Sequence, residues 1–292
     1  MDNVELQKYI LNFSLDDGPY CNQGYNRVLL QLFGLTGHGK SSFINSCKYI
    51  IDDGEEFIEH AEPGHIQDDG AKTRIRKAYK LTENITIVDN RGFSAMESFE
   101  RAEIYAQLGN FIPIGERVTW MDNFTTMMKR VVHADLNPNY SDFIVPILIC
   151  SAEHIPSDPE REKLKSFLKN CVIMTGIFPI VVISKKESGV VKNIKEMFNL
   201  MGSKVMIPIE NYTKEDHAKT QGKTEGILTI IHRALEEVTT RLGERRNSAE
   251  DRVQRKEFLL EYIHKAELEL QRRREEEKRK KEQNRSRPCR FL

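Results

Sequence analysis

The sequence predicts an α/β protein with a mostly parallel central sheet, helices on both faces of the sheet and a helical C-terminal extension. From about residue 26 to 242, short β-rich runs alternate with longer amphipathic stretches, which is the pattern of strands joined by crossover helices. Most of the β-rich runs are continuously apolar, so their strands are expected to be buried on both faces. After Gly243 the sequence becomes strongly charged, and this change predicts the extension.

The order of elements follows from the local patterns. The strand candidates are residues 28–33, 73–81, 85–89, 145–150, 179–184 and 204–209. Residues 73–81 alternate between polar and apolar side chains, which predicts an edge strand with one wet face. The helix candidates are residues 40–51, 97–108, 160–169, 191–200 and 223–242. The last of these has the clearest apolar stripe, and Gly243 is placed to end it.

Four segments are expected along the chain. They are a lead-in at 1–25, the α/β domain at 26–243, a charged helical extension at 244–287 and a tail at 288–292. Within the domain, residues 110–141 have no clean period and are predicted to form an irregular insertion.

The extension is expected to begin at Ser248, where a serine cap is followed three residues on by Asp251. A short apolar seam at 4-3-4 spacing then follows, made of Leu259, Ile263, Ala266 and Leu270. It suits either a coiled coil or docking on the main domain. The residues after 270 are nearly all charged, and they fit either a solvated helix or disorder.

Composition excludes several classes of protein. Among 292 residues, Lys plus Arg equals Asp plus Glu at 44 each, so no overall charge favours nucleic acid. The 5 cysteines are scattered without C-x-x-C spacing, which argues against a disulfide framework and a zinc site and favours a reducing compartment. With no signal-peptide pattern and no apolar run of about 18 residues, the chain is expected to be cytoplasmic.

Residues 34–41 read GLTGHGKS and match the pattern G-x-x-x-x-G-K-[ST] at every defined position. Gly34, Gly37 and Gly39 can adopt main-chain angles that turn successive N–H groups towards a phosphate. Lys40 would bridge the β- and γ-phosphates at the start of the following helix. The pattern predicts a three-layer P-loop NTPase fold of the G-domain type, whereas the alternative is a glycine-rich turn between a strand and a helix.

A magnesium ion is expected beside this loop. The Ser41 hydroxyl would ligate Mg²⁺. The next residue, Ser42, is also expected to take part in nucleotide binding. Asp89 ends an apolar strand and begins a D-x-x-G run in which Gly92 would sense the γ-phosphate. Thr73 lies between the two motifs, where a switch threonine would close over the metal; alternatively, it only opens a strand.

The base-recognition residues are expected at the ends of two later strands. Guanine specificity usually rests on an [N/T]-K-x-D run, and here Ser184, Lys185 and Glu187 occupy its defined positions. Glutamate carries its carboxylate one methylene further out than aspartate, while the Lys185 stem could lie across the base. Asn211 follows the last strand, where a backbone N–H commonly contacts the guanine oxygen. The alternatives are an ATP-using site and an ordinary polar strand exit.

Together, the phosphate loop, Asp89 to Gly92, Ser184 to Glu187 and the end of the last strand before a long helix resemble the interferon-induced protein 44 and 44-like family. These are G-domain proteins related to dynamin-type and immunity GTPases, and the resemblance covers roughly residues 26 to 242. It implies binding of GTP and GDP, a cytoplasmic location and a role in antiviral or innate defence. The GTPases that it resembles usually carry an aspartate at the position of Glu187.

Hydrolysis is predicted to be slow. Ras-like GTPases place a glutamine directly after D-x-x-G to orient water, and this chain has Phe93 there. The candidate catalytic residues are His38 and Arg91, although both positions also suit exposed loop residues. We expect turnover to be accelerated by self-association or by the arginine of a protein partner, with residues 60–76 and 89–100 responding to the γ-phosphate. The alternative is an interaction scaffold whose bound nucleotide is not hydrolysed.

Cys289 stands fourth from the end of the sequence, as a C-a-a-X prenylation pattern requires, and the terminal leucine would select geranylgeranyl. The basic residues before Cys289 would supply a second signal for peripheral membrane contact. A soluble basic tail is the alternative. Nucleic-acid binding by the tail is not expected, because glutamates are interspersed and aromatic residues are lacking.

Overall fold

A six-stranded sheet forms the centre of the protein. The computed structural model describes residues 1–62, 75–118, 123–134 and 141–285. The strands in these ranges are β1 (Arg27–Phe33), β2 (Lys77–Lys80), β3 (Ile85–Asp89), β4 (Asp142–Ser151), β5 (Ile180–Ser184) and β6 (Met206–Pro208). Their order is β2-β3-β1-β4-β5-β6; β2 runs antiparallel to β3, and the other neighbours are parallel. The predicted mostly parallel sheet is confirmed.

Helices connect the strands and cover the sheet. They are α1 (Asn3–Asn12), α2 (Lys40–Ile51), α3 (Ser98–Leu108), α4 (Phe124–His133), α5 (Asp158–Thr175), α6 (Val191–Leu200), α7 (Gln221–Leu242) and α8 (Ser248–Arg285). A 3-10 turn at Leu15–Asp17 follows α1. Gly243 is the C-terminal cap of α7, as the sequence predicts.

Two short helices correct the sequence-based interpretation. The lead-in contains α1, which begins with a capping box formed by Asp2 and Glu5. The expected irregular insertion contains α4, which begins where the Asn123 side chain accepts a hydrogen bond from the main chain of Thr126. Each helix has 10 residues. Their capping residues were the signal shared by both, and in α4 the buried Phe124, Met127 and Val131 also stand at helical spacing.

Two apolar cores lie on opposite faces of the sheet. Strands β1, β3, β4 and β5 are buried over nearly their whole length, because alternate side chains enter different cores. One core includes residues of α1, α2 and α7, while the other includes residues of α3, α4, α5, α6 and α8. The sheet therefore forms the middle layer of a three-layer α/β arrangement.

β2 is the edge strand, as the alternating pattern predicts, but it spans only four of the expected positions. Its side chains are mostly exposed. The first two residues of the predicted strand lie outside the described ranges.

The apolar seam of α8 docks on the main domain. Of the two structures expected for it, a coiled coil or docking, the second is the one observed. Leu259, Ile263 and Ala266 are buried in the core that also contains α3 and α5 residues. Beyond this seam, residues 271–282 continue the helix with every side chain exposed, so the charged segment is a solvated helix. Within the described part of the chain, no helix combines the length and apolar character needed to cross a membrane.

Candidate functional site

The glycine-rich loop, residues 34–41, joins β1 to α2 at the carboxyl edge of the parallel strands. Gly34, Gly37 and Gly39 have φ of 141°, 81° and 90°, in the region that favours glycine. At Gly34 a Cβ would also lie only 2.1 Å from the carbonyl oxygen of Ile149 in β4. Both conformation and packing therefore require glycine at the first position of the loop.

Lys40 is buried inside this loop. Its Nζ donates hydrogen bonds to the carbonyl oxygens of Gly34 and Leu35, each at 3.0 Å, and the residue is 7% exposed. Burial lowers the pKa of Lys40, while the nearby charge of Asp89 acts in the opposite direction. The ammonium is thereby fixed at the start of α2, where the helix dipole also favours an anion.

Ser41 and Asp89 meet because β1 and β3 are parallel neighbours. The Ser41 hydroxyl donates to Asp89 Oδ2 at 3.4 Å, and both residues are buried. Hydroxyl and carboxylate oxygens are ligands that Mg²⁺ accepts. These two predicted metal ligands are brought together beside the loop.

The residues that follow Asp89 pack directly on the glycine-rich loop. Phe93 N donates to the Gly34 carbonyl at 2.9 Å, and Thr36 N donates to the Phe93 carbonyl at 3.3 Å. A Cβ at Gly92 would lie 3.0 Å from Lys40 Nζ and 2.9 Å from Thr36 Oγ1. Gly92 is therefore placed beside the buried ammonium, and its role in nucleotide binding stays a prediction.

The Phe93 side chain points into the apolar core. It is 1% exposed, with its ring centroid 6.1 Å from that of Phe33 and 5.1 Å from that of Phe167. An aromatic ring in this position has no group that could orient an attacking water.

Helix α3 holds the same segment through two buried side chains that were not predicted as site residues. Gln107 Oε1 accepts a hydrogen bond from Arg91 N at 2.9 Å. The Glu100 carboxylate accepts from Ser94 N at 2.5 Å and from Met96 N at 2.7 Å. The available signal was the presence of polar residues on the inward face of an amphipathic helix.

A buried polar network lies behind the segment and was also missed. Arg76 is fully buried, and it donates to Asn90 Oδ1 at 2.9 Å, Asn110 Oδ1 at 3.0 Å and Gln31 Oε1 at 3.3 Å. It also donates to the carbonyl of Ile112. The network is built from distant parts of the chain, so its partners have no local sequence signature.

His38 is buried, which corrects its interpretation as an exposed loop residue. It is 8% exposed, its Nδ1 accepts from Ser151 N at 3.2 Å, and its ring centroid lies 5.2 Å from that of His154. Burial, followed by the charges of Lys40 and His154, lowers the pKa of His38 to about 3. The imidazole is therefore neutral at pH 7, and a catalytic role for it stays a prediction.

Arg91 is half-buried and is likewise not an ordinary exposed residue. Its Nη1 donates to the carbonyl of Val118 at 2.9 Å. Its guanidinium is thus engaged with the chain that follows α3, and its catalytic role stays a prediction.

Ser184 and Asn211 line the loop from the ends of β5 and β6. Ser184 Oγ donates to the His38 carbonyl at 2.7 Å. Asn211 Nδ2 would be 3.3 Å from a Cβ on Gly39, and Asn211 Oδ1 accepts from Ser46 Oγ at 3.4 Å. The parallel order of the strands brings both residues to the predicted place.

Lys185 and Glu187 lie on the outer rim of this region. Lys185 has φ of 56° and its Nζ lies 2.5 Å from Glu153 Oε2; this hydrogen bond lowers the pKa of the Glu153 carboxyl. Glu187 is exposed, and its main-chain N donates to Glu210 Oε2 at 3.4 Å. The rim therefore carries two carboxylates, at Glu187 and Glu210, within reach of solvent.

The remaining predicted residues are placed as follows. Ser42 is half-buried in the first turn of α2, and its carbonyl accepts from Ser46 Oγ at 2.8 Å. Thr73, the expected switch and metal residue, and Cys289, the expected lipidation site, lie outside the described residues.

No protein-family model matches the chain, and no curated protein matches it at a significant level.

Proposed function

We propose that this chain is a P-loop nucleotide-binding protein. One observation carries the proposal: a lysine ammonium is buried inside a loop of three positive-φ glycines at the start of α2. Backbone N–H groups, a helix N-terminus and a fixed cation together suit the β-phosphate of a nucleotide. Ser41 and Asp89 would hold the accompanying Mg²⁺, which would neutralise phosphate charge.

More particularly, we propose a GTP- and GDP-binding protein of the G-domain type, similar to the interferon-induced protein 44 and 44-like family. Support comes from the convergence of the glycine-rich loop, Asp89, Gly92 and the ends of β5 and β6 at one edge of the sheet. The resemblance also motivates a role in antiviral or innate defence in the cytoplasm. That role and any membrane contact are proposals from the sequence alone.

Guanine is the preferred base in this proposal. Ser184 would support the loop, Lys185 would pack against the base, and Glu187 would accept hydrogen bonds from guanine N1 and the exocyclic amine. Rotation of the longer glutamate side chain would be needed for a bidentate contact. Adenine is the second candidate, because it requires no carboxylate at this position.

Slow hydrolysis is part of the same proposal. The core-facing Phe93 leaves the position after Gly92 without a polar side chain, and the Arg91 guanidinium donates to Val118. A group supplied by a second copy or a protein partner would then accelerate turnover. The alternative is a scaffold that keeps its nucleotide unhydrolysed, and the absence of a polar side chain at Phe93 supports this alternative as well.

A competition titration tests the class and the base together. In this titration, a fluorescent GDP analogue is first bound to the full chain with Mg²⁺. GTP, GDP, ITP or ATP is then added, and the displacement of the analogue is measured. The proposal predicts displacement by GTP and GDP, weaker displacement by ITP because it lacks the exocyclic amine, and the weakest by ATP. Glu187→Gln should narrow the difference between GTP and ITP, and the exposed Glu215→Gln serves as its control. Equal displacement by ATP and GTP would reject guanine selectivity while retaining nucleotide binding.

A further inference from the structure

Helix α3 is tied to the segment after Asp89 by hydrogen bonds to three main-chain N–H groups. The Gln107 side chain accepts from Arg91 N, and the Glu100 carboxylate accepts from Ser94 N and Met96 N. Both acceptors are buried, with exposures of 0% and 7%. A shift of α3 would therefore change the position of this segment or break these bonds.

On the side away from the segment after Asp89, α3 contacts α8. Tyr105 of α3 is fully buried, and its ring centroid lies 4.8 Å from that of Tyr262 and 6.1 Å from that of Phe258. The Tyr105 hydroxyl also accepts a hydrogen bond from Asn170 Nδ2 of α5 at 2.8 Å. This aromatic cluster fixes the position of α3 from outside the sheet.

The first turns of α8 are themselves anchored to the main domain. Arg252 Nη2 donates to the Ala134 carbonyl at 3.1 Å, and its guanidinium lies 5.1 Å from the centre of the Phe111 ring. Asp251 forms an ion pair with Arg246 at 2.6 Å and accepts a hydrogen bond from the Tyr25 hydroxyl. Because α8 is fixed at its start and along its seam, it forms a continuous support for α3.

Gly92 lies inside the segment that α3 holds. Its Cα approaches Lys40 so closely that an added Cβ would be 3.0 Å from the ammonium nitrogen. A γ-phosphate bound by Lys40 would adjoin the Gly92 main chain, whereas a diphosphate would lack the group that reaches it. Holding Gly92 in place lowers the ordering cost of that contact, since a pre-organised site loses less conformational freedom on binding.

We propose that α8 is a brace for the nucleotide site: through Tyr105, Gln107 and Glu100 of α3, its docking holds Gly92 in position and favours nucleoside triphosphate over diphosphate. Gln107 and Glu100 are positioning residues in this arrangement. By reciprocity, triphosphate strengthens the docking of α8 to the same extent. A partner that pulls α8 away from α3 would thus weaken triphosphate binding. This inference rests on the proposed nucleotide-binding function.

The first test measures hydrogen exchange in the full chain and requires no nucleotide. Phe258→Ala removes one ring from the Tyr105 cluster, and the main-chain amides of Arg91, Ser94 and Met96 are expected to exchange about tenfold faster. Leu268→Ala, on the same helix but 39% exposed, should leave them unchanged. If Phe258→Ala lowers global stability, the milder Phe258→Leu is used. Faster exchange in α8 with unchanged exchange at the three amides would overturn the proposal.

The second test is a double-mutant cycle on nucleotide affinity, with GTPγS and GDP as the probes. Phe258→Ala is expected to raise the Kd of GTPγS by about fivefold and to leave that of GDP within about twofold. In a Gln107→Met background, which keeps the bulk but removes the acceptor for Arg91, the effect of Phe258→Ala should be smaller, because only the Glu100 hydrogen bonds then connect α3 to the segment. Equal changes for both nucleotides, or additive effects of the two substitutions, would contradict coupling through Gln107.

The two tests separate the brace from the nucleotide-binding function. A wild-type chain that takes up neither GTPγS nor GDP would reject the proposed function, while the exchange measurement would still show whether α8 controls the segment around Gly92. Normal nucleotide binding combined with α8-independent exchange would reject the brace alone.

Discussion

The Lys40 ammonium nitrogen lies 3.0 Å from the carbonyl oxygen of Gly34, so the last and first parts of the glycine-rich loop are joined by a side chain. The same carbonyl accepts a hydrogen bond from Phe93 N at 2.9 Å. A single oxygen therefore links the loop, its lysine and the segment that contains Gly92. This relationship makes the geometry of the loop sensitive to substitutions at each of these positions.

Gly34→Ala is expected to lower the free energy of unfolding by about 2–4 kcal/mol. Its Cβ would lie 2.1 Å from the Ile149 carbonyl oxygen, and its φ of 141° is unfavourable for alanine. Urea denaturation measures the change. In the control Gly222→Ala, the Cβ position has no neighbour within 4 Å, and stability should rise by up to about 1 kcal/mol. Similar small effects of both substitutions would contradict the close packing of the loop on β4.

Gly92→Ala is expected to weaken triphosphate binding by about tenfold or more. The added methyl would contact Thr36 Oγ1 and Lys40 Nζ at 2.9 and 3.0 Å. The methyl would also lie 3.2 Å from the main-chain N of Thr36, so the glycine-rich loop itself must shift, which distorts the site while the two apolar cores stay intact. Calorimetric titration with GTPγS, again with Gly222→Ala as the control, provides the measurement. Undiminished affinity would show that Gly92 does not adjoin the bound γ-phosphate.

The pH dependence of stability should contain a contribution from His38. Burial lowers the pKa of His38 to about 3 from its unfolded value of about 6.5. Above pH 6.5 neither state binds the proton and the stabilising contribution is complete; as pH falls towards 3, only the unfolded state gains the proton and stability is lost. Between pH 7 and 5 this loss should amount to about 1–2 kcal/mol.

Urea denaturation at pH 7 and pH 5 tests this prediction. His38→Gln should show a smaller loss than the unsubstituted chain, while His264→Gln on the exposed face of α8 should behave like the unsubstituted chain. An unchanged pH dependence in His38→Gln would mean that the imidazole is not held neutral.

Arg76→Met is expected to destabilise the fold by about 3 kcal/mol or more. The substitution removes the donor shared by Gln31, Asn90 and Asn110, and buried acceptors are costly when their donor is lost. Thermal or urea unfolding measures the effect. Lys77→Met, at the next and exposed position, should change stability by less than about 0.5 kcal/mol.

The sequence predicts the strands and long helices of this fold well because their signals are local. α2 and α6 begin and end where their apolar periods do, at Lys40–Ile51 and Val191–Leu200. The short helix Phe124–His133 was missed although Phe124, Met127 and Val131 stand at helical spacing, because the surrounding residues 110–141 show no continuous period. The docking of α8 was left open, since its seam suits a second helix and the domain surface equally.

Residues of the candidate site can be predicted from the sequence only where they belong to one continuous stretch of chain. The glycine-rich loop and Asp89 could be assigned from spacing, because strand and helix periods fix their positions. Gln107, Glu100 and Arg76 could not, because their partners are brought together by the packing of α3 against the sheet. Burial of His38 was missed for the same reason: the covering atoms belong to β4 and the chain that follows it.

The most direct measurement is a calorimetric titration of the full chain and of Lys40→Ala with GTP and Mg²⁺. The unsubstituted chain should bind GTP, and Lys40→Ala should weaken this binding by about 100-fold, since a buried charge-assisted contact to phosphate is lost. Lys48→Ala, whose ammonium pairs with Asp52 at 2.8 Å on the same helix, should bind normally. Equal affinity in Lys40→Ala, or no uptake of nucleotide by the unsubstituted chain, would show that the glycine-rich loop is not a nucleotide-binding site.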